Sequence, residues 1–243
     1  MNKINFFCLP YAGGSAVTYS KWKKHLNNNI ELRPLELAGR GRRSKELSHR
    51  SIESITDDIY NNIRPLLDEG PFAIFGYSMG SLIGFELCHK IREKGHNQPM
   101  HFFAASLEAP DLIYQRKPIH GLPNKEFINE IIKMNGTPDE VIKNPELMEY
   151  FLPVLKSDFE AFESYKCIER EEKLNTDITT LWGEDDSMPR DHALKWGDLF
   201  SGEKHFYKFT GSHFFINDHL HRITDIVNKT ITGVKNENKI LKI

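Results

Sequence analysis

The 243-residue sequence predicts an α/β fold in which helices cover both faces of a mostly parallel central sheet. Two observations support this class. Short apolar runs alternate with amphipathic segments, which is typical of βα units that build a parallel sheet. In addition, Phe72–Phe75 is a wholly apolar run bounded by Pro71 and Gly76. A strand that is apolar on both sides is buried on both faces, so we place this one at the centre of the sheet.

The remaining strands and helices follow from the same periodicities. The other predicted strands are Asn5–Leu9, Ile30–Leu37, Phe102–Leu107, Ile178–Trp182 and His205–Phe209. The predicted helices of the α/β part are Ala16–Leu26, Ser51–Leu67, Ser81–Glu93, Asp191–Phe200 and Phe215–Thr230.

The alternation of predicted strands and helices stops after the fourth strand. Residues 111–173 show helical patterns only, including Lys125–Met134 and Leu147–Phe162. Because a connection of this length is uncommon unless it has a function, we predict an inserted helical lid at 111–173. The α/β core is then formed by residues 1–110 and 174–234, and residues 235–243 are a frayed tail.

Composition excludes several classes of partner. Hydrophobic residues at 39% allow a substantial core, and a formal net charge of −2 provides no strong field for nucleic acid or an anionic membrane. The apolar runs are shorter than the ~18–20 residues that cross a bilayer, and the first residues lack a secretory pattern. The three cysteines are interpreted as reduced core residues: Cys8, Cys88 and Cys167. We expect a cytoplasmic protein that binds neither nucleic acid nor membrane.

A G-x-S-x-G pattern lies between the central strand and the helix that follows it. It spans Gly76–Gly80 and has Ser78 in the middle. In this context it predicts the nucleophile elbow of an α/β-hydrolase fold, where a sharp turn lifts the serine hydroxyl to the C-terminal edge of the sheet. The N-terminus of the following helix favours the negative charge that develops there. We therefore predict Ser78 as the nucleophile of an acyl hydrolase.

The serine needs a base that takes its proton and a carboxylate that holds the base. In this fold the acid precedes the histidine along the chain. Asp186, just after Ile178–Trp182, is the predicted acid, and Asp185 is the alternative. His213 lies in a glycine-containing loop before the last helix and is the predicted base. The histidines interpreted as packed or exposed are His205, His219 and His221.

Two backbone amides must hold the oxyanion, one after the nucleophile and one in an early strand-to-helix loop. Met79 supplies the first amide. In the glycine-rich loop Pro10–Ser15 we assign the second to Ala12, with Tyr11 as the alternative. This loop lacks the spacing of a nucleotide-binding loop, and the sequence has no ligand cluster with zinc spacing. We expect neither a metal nor an organic cofactor.

Several segments together give the chain a resemblance to a known family. They are Tyr11–Gly14, Gly76–Gly80, Gly183–Asp186 and Gly211–His213. With these the chain resembles the type II thioesterases, the stand-alone editing enzymes of non-ribosomal peptide and polyketide synthases, over nearly all of residues 3–230. Leu35–Arg43 is similar to the family's P-G-R-G-x-R stretch, with Ala38 where proline is usual. The insert is similar to the family's lid at Leu122-Pro123, Gly136–Pro138, Phe151–Phe159, Glu163 and Tyr165.

The resemblance implies a substrate class that the residues alone do not. It implies hydrolysis of acyl groups from the phosphopantetheine arm of acyl or peptidyl carrier proteins, through an acyl-serine and without a cofactor. Medium-chain acyl release from a fatty acid synthase is a related option. We expect the enzyme to act as a monomer. A free-ester esterase or lipase and an acyltransferase stay open as alternatives, whereas the presence of the complete triad argues against a silent binding protein.

Two further sets of residues are candidates for contact with the substrate or its carrier. Arg40, Arg42 and Arg43 are candidates for meeting an acidic carrier protein or the phosphate of its arm, with a solvated loop as the alternative. Six apolar residues of the insert either line an acyl pocket or only pack the insert together: Met134, Leu147, Met148, Phe151, Leu152 and Phe159.

Overall fold

A computed structural model describes residues 3–113, 118–133 and 144–233, apart from the side chains of residues 145–147 and 150. The frayed tail predicted at 235–243 lies outside these ranges. Six strands form one sheet in the order β2-β1-β3-β4-β5-β6, and every neighbouring pair is parallel. They are β1 Ile4–Leu9, β2 Ile30–Pro34, β3 Phe72–Tyr77, β4 His101–Ala105, β5 Asp177–Gly183 and β6 Lys204–Phe209.

The strand order reverses direction at β1, which pairs with β2 on one side and β3 on the other. The connections that leave the carboxyl ends of β1 and β3 therefore diverge to opposite faces, and this leaves a crevice where ligands bind in open α/β sheets. The predicted central strand is confirmed, because β3 lies inside the sheet and is buried at all its residues.

The α-helices of the described residues are α1 Ile52–Ile63, α2 Met79–Glu93, α3 Asn124–Lys133, α4 Pro145–Glu163, α5 Arg190–Leu194 and α6 Leu220–Thr232. Two predicted helices differ in form. The segment after β1 is the 3₁₀-helix Ala16–Lys24, and the second half of the predicted helix Asp191–Phe200 is the 3₁₀-helix Lys195–Leu199. Apolar spacing at three and four residues does not by itself distinguish these helix types.

The last helix begins five residues later than predicted, at Leu220 instead of Phe215. Turns occupy the intervening residues, where the Phe215 N–H donates to the Ser212 carbonyl at 3.2 Å and the His219 N–H donates to the Phe215 carbonyl at 3.0 Å. These turns bury Phe215 and Ile216 in the core, so apolar residues that read as a helical stripe are turn residues.

Alternate residues of β1 face two separate hydrophobic cores. Phe7 and Leu9 pack into the core shared with α1 and α2, whereas Phe6 and Cys8 pack into the core shared with α6. Both faces of the sheet are therefore covered, as a parallel sheet requires. Of the three cysteines, Cys8 and Cys88 are buried as predicted, and Cys167 is exposed.

Helices α3 and α4 lie between β4 and β5 in the chain and share a small core of their own. Its buried residues are Phe127, Ile131, Met148, Leu152 and Leu155. The described parts of the predicted insert, 111–113, 118–133 and 144–173, contain these two α-helices and no strand. Across the described ranges, no helix combines the length and the apolar character that a bilayer crossing requires.

Candidate active site

Ser78 lies in the tight turn between β3 and α2. Its backbone has a φ of 52° and a ψ of −121°, a left-handed conformation that is strained for a residue with a side chain. A Cβ on Gly76 would lie 2.3 Å from the Gly80 carbonyl oxygen, and a Cβ on Gly80 would lie 2.3 Å from the Leu9 carbonyl oxygen. Both flanking glycines are therefore required by close backbone contact, and helix α2 begins directly after the serine.

Ser81 holds this turn from within the helix. Its hydroxyl oxygen is 2.8 Å from the Gly76 carbonyl oxygen and 3.0 Å from both the carbonyl oxygen and the amide nitrogen of Ala105. The residue is fully buried and ties the elbow to the neighbouring strand β4.

Ser78, His213 and Asp186 form a continuous hydrogen-bonded row. Nε2 of His213 is 3.1 Å from Oγ of Ser78, and Nδ1 of His213 is 3.0 Å from Oδ2 of Asp186. The loops that carry the histidine and the aspartate touch each other, since a Cβ on Gly183 would lie 2.4 Å from the carbonyl oxygen of Gly211. These distances are within the range over which a base can take a serine proton.

The two adjacent aspartates differ in environment. The side chain of Asp186 is only 4% exposed and faces His213, whereas Asp185 is exposed. Burial by itself would raise the pKa of the Asp186 carboxyl. The hydrogen bond and charge of His213, together with bonds from Ser106 and the Met188 amide, outweigh burial, so this pKa lies below its ordinary value. The geometry thus favours Asp186 over Asp185 as the partner of the histidine.

Two buried hydroxyls, for which no role was predicted, brace the row. Ser106, after β4, has a φ of 51°, and its Oγ is 3.2 Å from Oδ2 of Asp186 and 3.0 Å from the His213 carbonyl oxygen. The Tyr77 hydroxyl donates to the same carbonyl at 2.5 Å, and burial raises the pKa of this phenol. Ser106 was detectable in principle, because it directly follows β4, the strand that lies between those preceding Ser78 and Asp186.

The two amides predicted to bind an oxyanion lie on two segments that touch, the loop after β1 and the N-terminus of α2. The Gly80 position packs against the main chain of Leu9 and Pro10, which lead into the loop of Ala12. The Gly14 N–H donates to the Tyr11 carbonyl at 2.8 Å and closes a turn around Ala12. Within the part of the chain that the structure describes, neither the Ala12 N–H nor the Met79 N–H donates to a protein group.

A cavity of about 510 Å³ opens at this row of residues. Its lining includes Tyr11, Ala12, Ser78, Met79, Ser106, Leu107, Glu108, Lys133, Phe159, Phe162, Asp185, Asp186, Ser187, Met188, Ser212, His213 and Phe214. The volume lies within the range of small-molecule sites. The apolar part of the wall combines Phe159 and Phe162 of α4 with Leu107 and Met188 of the sheet side.

The six candidate acyl-pocket residues therefore differ in where the structure places them. Phe159 lines the cavity. Met148, Phe151 and Leu152 pack into the core shared by α3 and α4, which is the structural alternative. Met134 and the side chain of Leu147 lie outside the described residues.

The three arginines predicted to meet a carrier or solvent also differ. Arg40 is buried and its guanidinium forms two 2.6 Å hydrogen bonds with the carboxylate of Asp158 on α4. Both interpretations offered for Arg40 are therefore wrong. Arg43 pairs with Glu46 and Asp58, and only Arg42 is exposed. Arg42 thus stays a candidate for a carrier contact.

No group of three or more metal-binding side chains occurs among residues 3–113, 118–133 and 144–233. The site brings together a serine, a carboxylate and a histidine, which follow β3, β5 and β6, respectively. A parallel sheet with this elbow, this residue order and helices on both faces defines an α/β-hydrolase.

Comparisons with known proteins identify the family within this class. Residues 5–231 match the family model described as thioesterase domain. The gramicidin S biosynthesis protein GrsT of Aneurinibacillus migulanus is 32% identical over 230 residues, which cover 94% of this chain and 89% of that protein. The medium-chain S-acyl fatty acid synthase thioesterase of Rattus norvegicus is 29% identical and covers 88% of this chain and 81% of its own.

A solved structure gives the same result. The crystal structure of ClbQ from the colibactin NRPS/PKS pathway is 35% identical, superposes with a TM-score of 0.91, and covers 96% of this chain and 98% of its own. The chain belongs to the thioesterase domain family, and its resemblance to the type II thioesterases is confirmed. It is an acyl thioester hydrolase of the serine type.

Proposed function

We propose that this protein hydrolyses acyl thioesters held on the phosphopantetheine arm of carrier proteins, with Ser78 as the nucleophile. The observation that carries the proposal is the unbroken row from Ser78 through His213 to Asp186 at the mouth of a cavity of about 510 Å³. We also propose that α3 and α4, within residues 111–173, form the lid of that cavity.

In this mechanism His213 takes the Ser78 proton at Nε2 while the serine oxygen attacks the thioester carbonyl. The buried carboxylate of Asp186 holds the imidazole in the required tautomer and stabilises the imidazolium. His213 then returns the proton to the departing sulfur. A thiol with a pKa of about 8–9 leaves more easily than an alcohol. A water that His213 deprotonates cleaves the acyl-serine and restores the free hydroxyl.

The developing oxyanion is bound by the amides of Met79 and Ala12. The Met79 amide begins α2, so its N–H has no acceptor inside the helix and the helix dipole adds to its effect. The Ala12 amide approaches from the loop after β1. Donors that are already in place cost no reorganisation when charge develops, and this is the main source of rate enhancement in such sites.

The carrier protein as substrate is supported by the relatives. GrsT is named for gramicidin S biosynthesis, and ClbQ belongs to an NRPS/PKS pathway. The apolar wall of Leu107, Phe159, Phe162 and Met188 suits an acyl chain. One chain supplies every residue of the proposed site, so we propose a monomer as the active unit. The free cysteines support a cytoplasmic location.

The test is mass spectrometry of a panel of acylated carrier proteins before and after treatment with the enzyme. We expect loss of the acyl group with the wild type and a decrease of about 10³-fold or more in rate with Ser78→Ala. Circular dichroism of the variant checks that the fold is intact. Undiminished release by Ser78→Ala, or turnover of matching oxygen esters but not of carrier-bound thioesters, would overturn the proposal.

A further inference from the structure

Asp158 lies on α4, far from the triad in sequence, yet it contacts the loop that carries Ala12. Its Oδ2 accepts a 2.6 Å hydrogen bond from the Gly13 amide, 145 residues away. The same carboxylate accepts a hydrogen bond of 2.6 Å from each of the two terminal nitrogens of Arg40. Arg40 Nη1 also donates to the Gly14 carbonyl at 3.1 Å. Asp158 and Arg40 thus hold the two residues that follow Ala12.

The contact between α4 and this loop is close as well as polar. Gly13 has a φ of 76°, and a Cβ at this position would lie 2.4 Å from Cδ2 of Leu155. Gly13 is the third residue of the turn that the Gly14 N–H closes onto Tyr11, and a positive φ there is what a type II turn requires. Helix α4 therefore packs directly on the turn that presents the Ala12 amide.

The pair formed by Arg40 and Asp158 is almost completely shielded from water. Their side chains are 4% and 1% exposed. Removing one partner of such a pair leaves an uncompensated buried charge, and bidentate arginine–carboxylate geometry is directionally strict. The carboxylate therefore has one favourable position, and that position fixes the direction of the Gly13 N–H.

We propose that Asp158 is a positioning residue of the oxyanion hole, which aims the Ala12 amide by anchoring the adjacent Gly13 amide to α4. This inference rests on the proposed function. It makes the catalytic geometry depend on a seated helical insert. Without the contact to α4 the Gly13 amide has no acceptor from Asp158 and the turn around Ala12 has no brace from this helix, so the proposed oxyanion hole is complete only while α4 packs on the loop.

The test separates the effect of losing the hydrogen-bond acceptor of the Gly13 amide from the effect of losing the ion pair with Arg40. Both variants are made in an Arg40→Met background, which avoids an unpaired buried guanidinium. Asp158→Asn keeps an oxygen acceptor for the Gly13 amide. Asp158→Leu has a similar shape but no hydrogen-bond acceptor. We expect Asp158→Leu to lower kcat about 10- to 100-fold relative to Asp158→Asn, with KM for the octanoyl thioester of N-acetylcysteamine nearly unchanged. Affinity for an alkyl boronic acid, which forms a tetrahedral serine adduct, should weaken in parallel.

The matched control is Glu160→Gln on the same helix. Glu160 pairs with Arg50 at 2.8 Å on the surface, where Arg50 is 69% exposed, so this variant breaks an ion pair of α4 without touching the turn. Its kcat should equal that of the wild type. Thermal unfolding of both double variants shows whether they are equally folded.

Equal kcat for the Asn and Leu double variants would overturn the inference, as would a kcat loss that simply follows thermal stability. The proposed function is tested independently, by the activity of Ser78→Ala and by the comparison of carrier-bound thioesters with matching oxygen esters. An inactive Ser78→Ala together with equal double variants would reject the role of Asp158 alone.

Discussion

The two sides of Ser78 are held in place by different parts of the molecule. On one side His213 and Asp186 follow β6 and β5, and the hydroxyls of Tyr77 and Ser106 brace the histidine loop from within the sheet. On the other side, the loop of Ala12 is held by Asp158 of α4, a helix outside the sheet.

This difference separates the proposed triad, which is held by the sheet, from the proposed oxyanion hole, which is held in part by the insert. The proposed triad is carried by neighbouring parallel strands, which pair over five or six residues each. The proposed oxyanion side depends on α4, a helix that shares a small core with α3, in which five apolar residues are buried among those the structure describes. With these proposed roles, the base is positioned by the sheet alone, whereas complete transition-state stabilisation requires the contact between α4 and the loop of Ala12.

The largest effect should come from the triad side. Asp186→Asn removes the charge that balances the His213 imidazolium and favours the wrong tautomer, so kcat should fall about 10³- to 10⁴-fold. Steady-state hydrolysis of an octanoyl thioester measures this. Asp185→Asn is the matched control and should stay within about threefold of the wild type. A larger loss of kcat from Asp185→Asn than from Asp186→Asn would show that Asp185, and not Asp186, is the acid of the triad.

A smaller effect should come from loosening the insert. Leu152, 7% exposed, packs in the core of α3 and α4, and Leu152→Ala should lower the free energy of unfolding by about 2–4 kcal/mol. Because the oxyanion side depends on α4, kcat should fall roughly tenfold as well. Ile132→Ala changes an exposed residue of α3 and should alter neither quantity appreciably. An unchanged kcat in Leu152→Ala would show that the oxyanion side, like the triad side, does not depend on the packing of the insert.

The smallest effect concerns the sheet and shows in stability alone. His101 of β4 is buried, and burial together with the charge of His205 lowers its pKa to about 3. The unfolded chain binds a proton near pH 6.5 that the folded His101 does not, so stability is complete above that pH and is lost as pH falls towards 3. Between pH 7 and 5.5 the loss should be about 1 kcal/mol.

Urea denaturation of the wild type and His101→Gln at both pH values isolates this contribution. The difference between the two proteins at pH 7 gives the packing cost, and the wild type should show the steeper decrease at pH 5.5. Activity at pH 7 should be the same in both, since His101 lies away from the cavity. Identical pH slopes would contradict the prediction.

The elements with strong local patterns were predicted well, and those set by packing were not. The strand Phe72–Tyr77 follows from an apolar run. The turn at Ser78 follows from two flanking glycines, at which a side chain would collide with the neighbouring backbone. The start of α6 was placed five residues early, because Phe215 and Ile216 are apolar for reasons of core burial and not of helical periodicity.

The sequence by itself determined the order of strands and helices, the elbow serine and the candidates for its base and acid. These depend on a few consecutive residues, whose apolar spacing and glycines restrict the local backbone. Only the tertiary structure decided that Arg40 pairs with Asp158 and that Asp158 holds Gly13. Choosing a partner for a charged residue depends on which distant segments are buried together, and no local pattern encodes that.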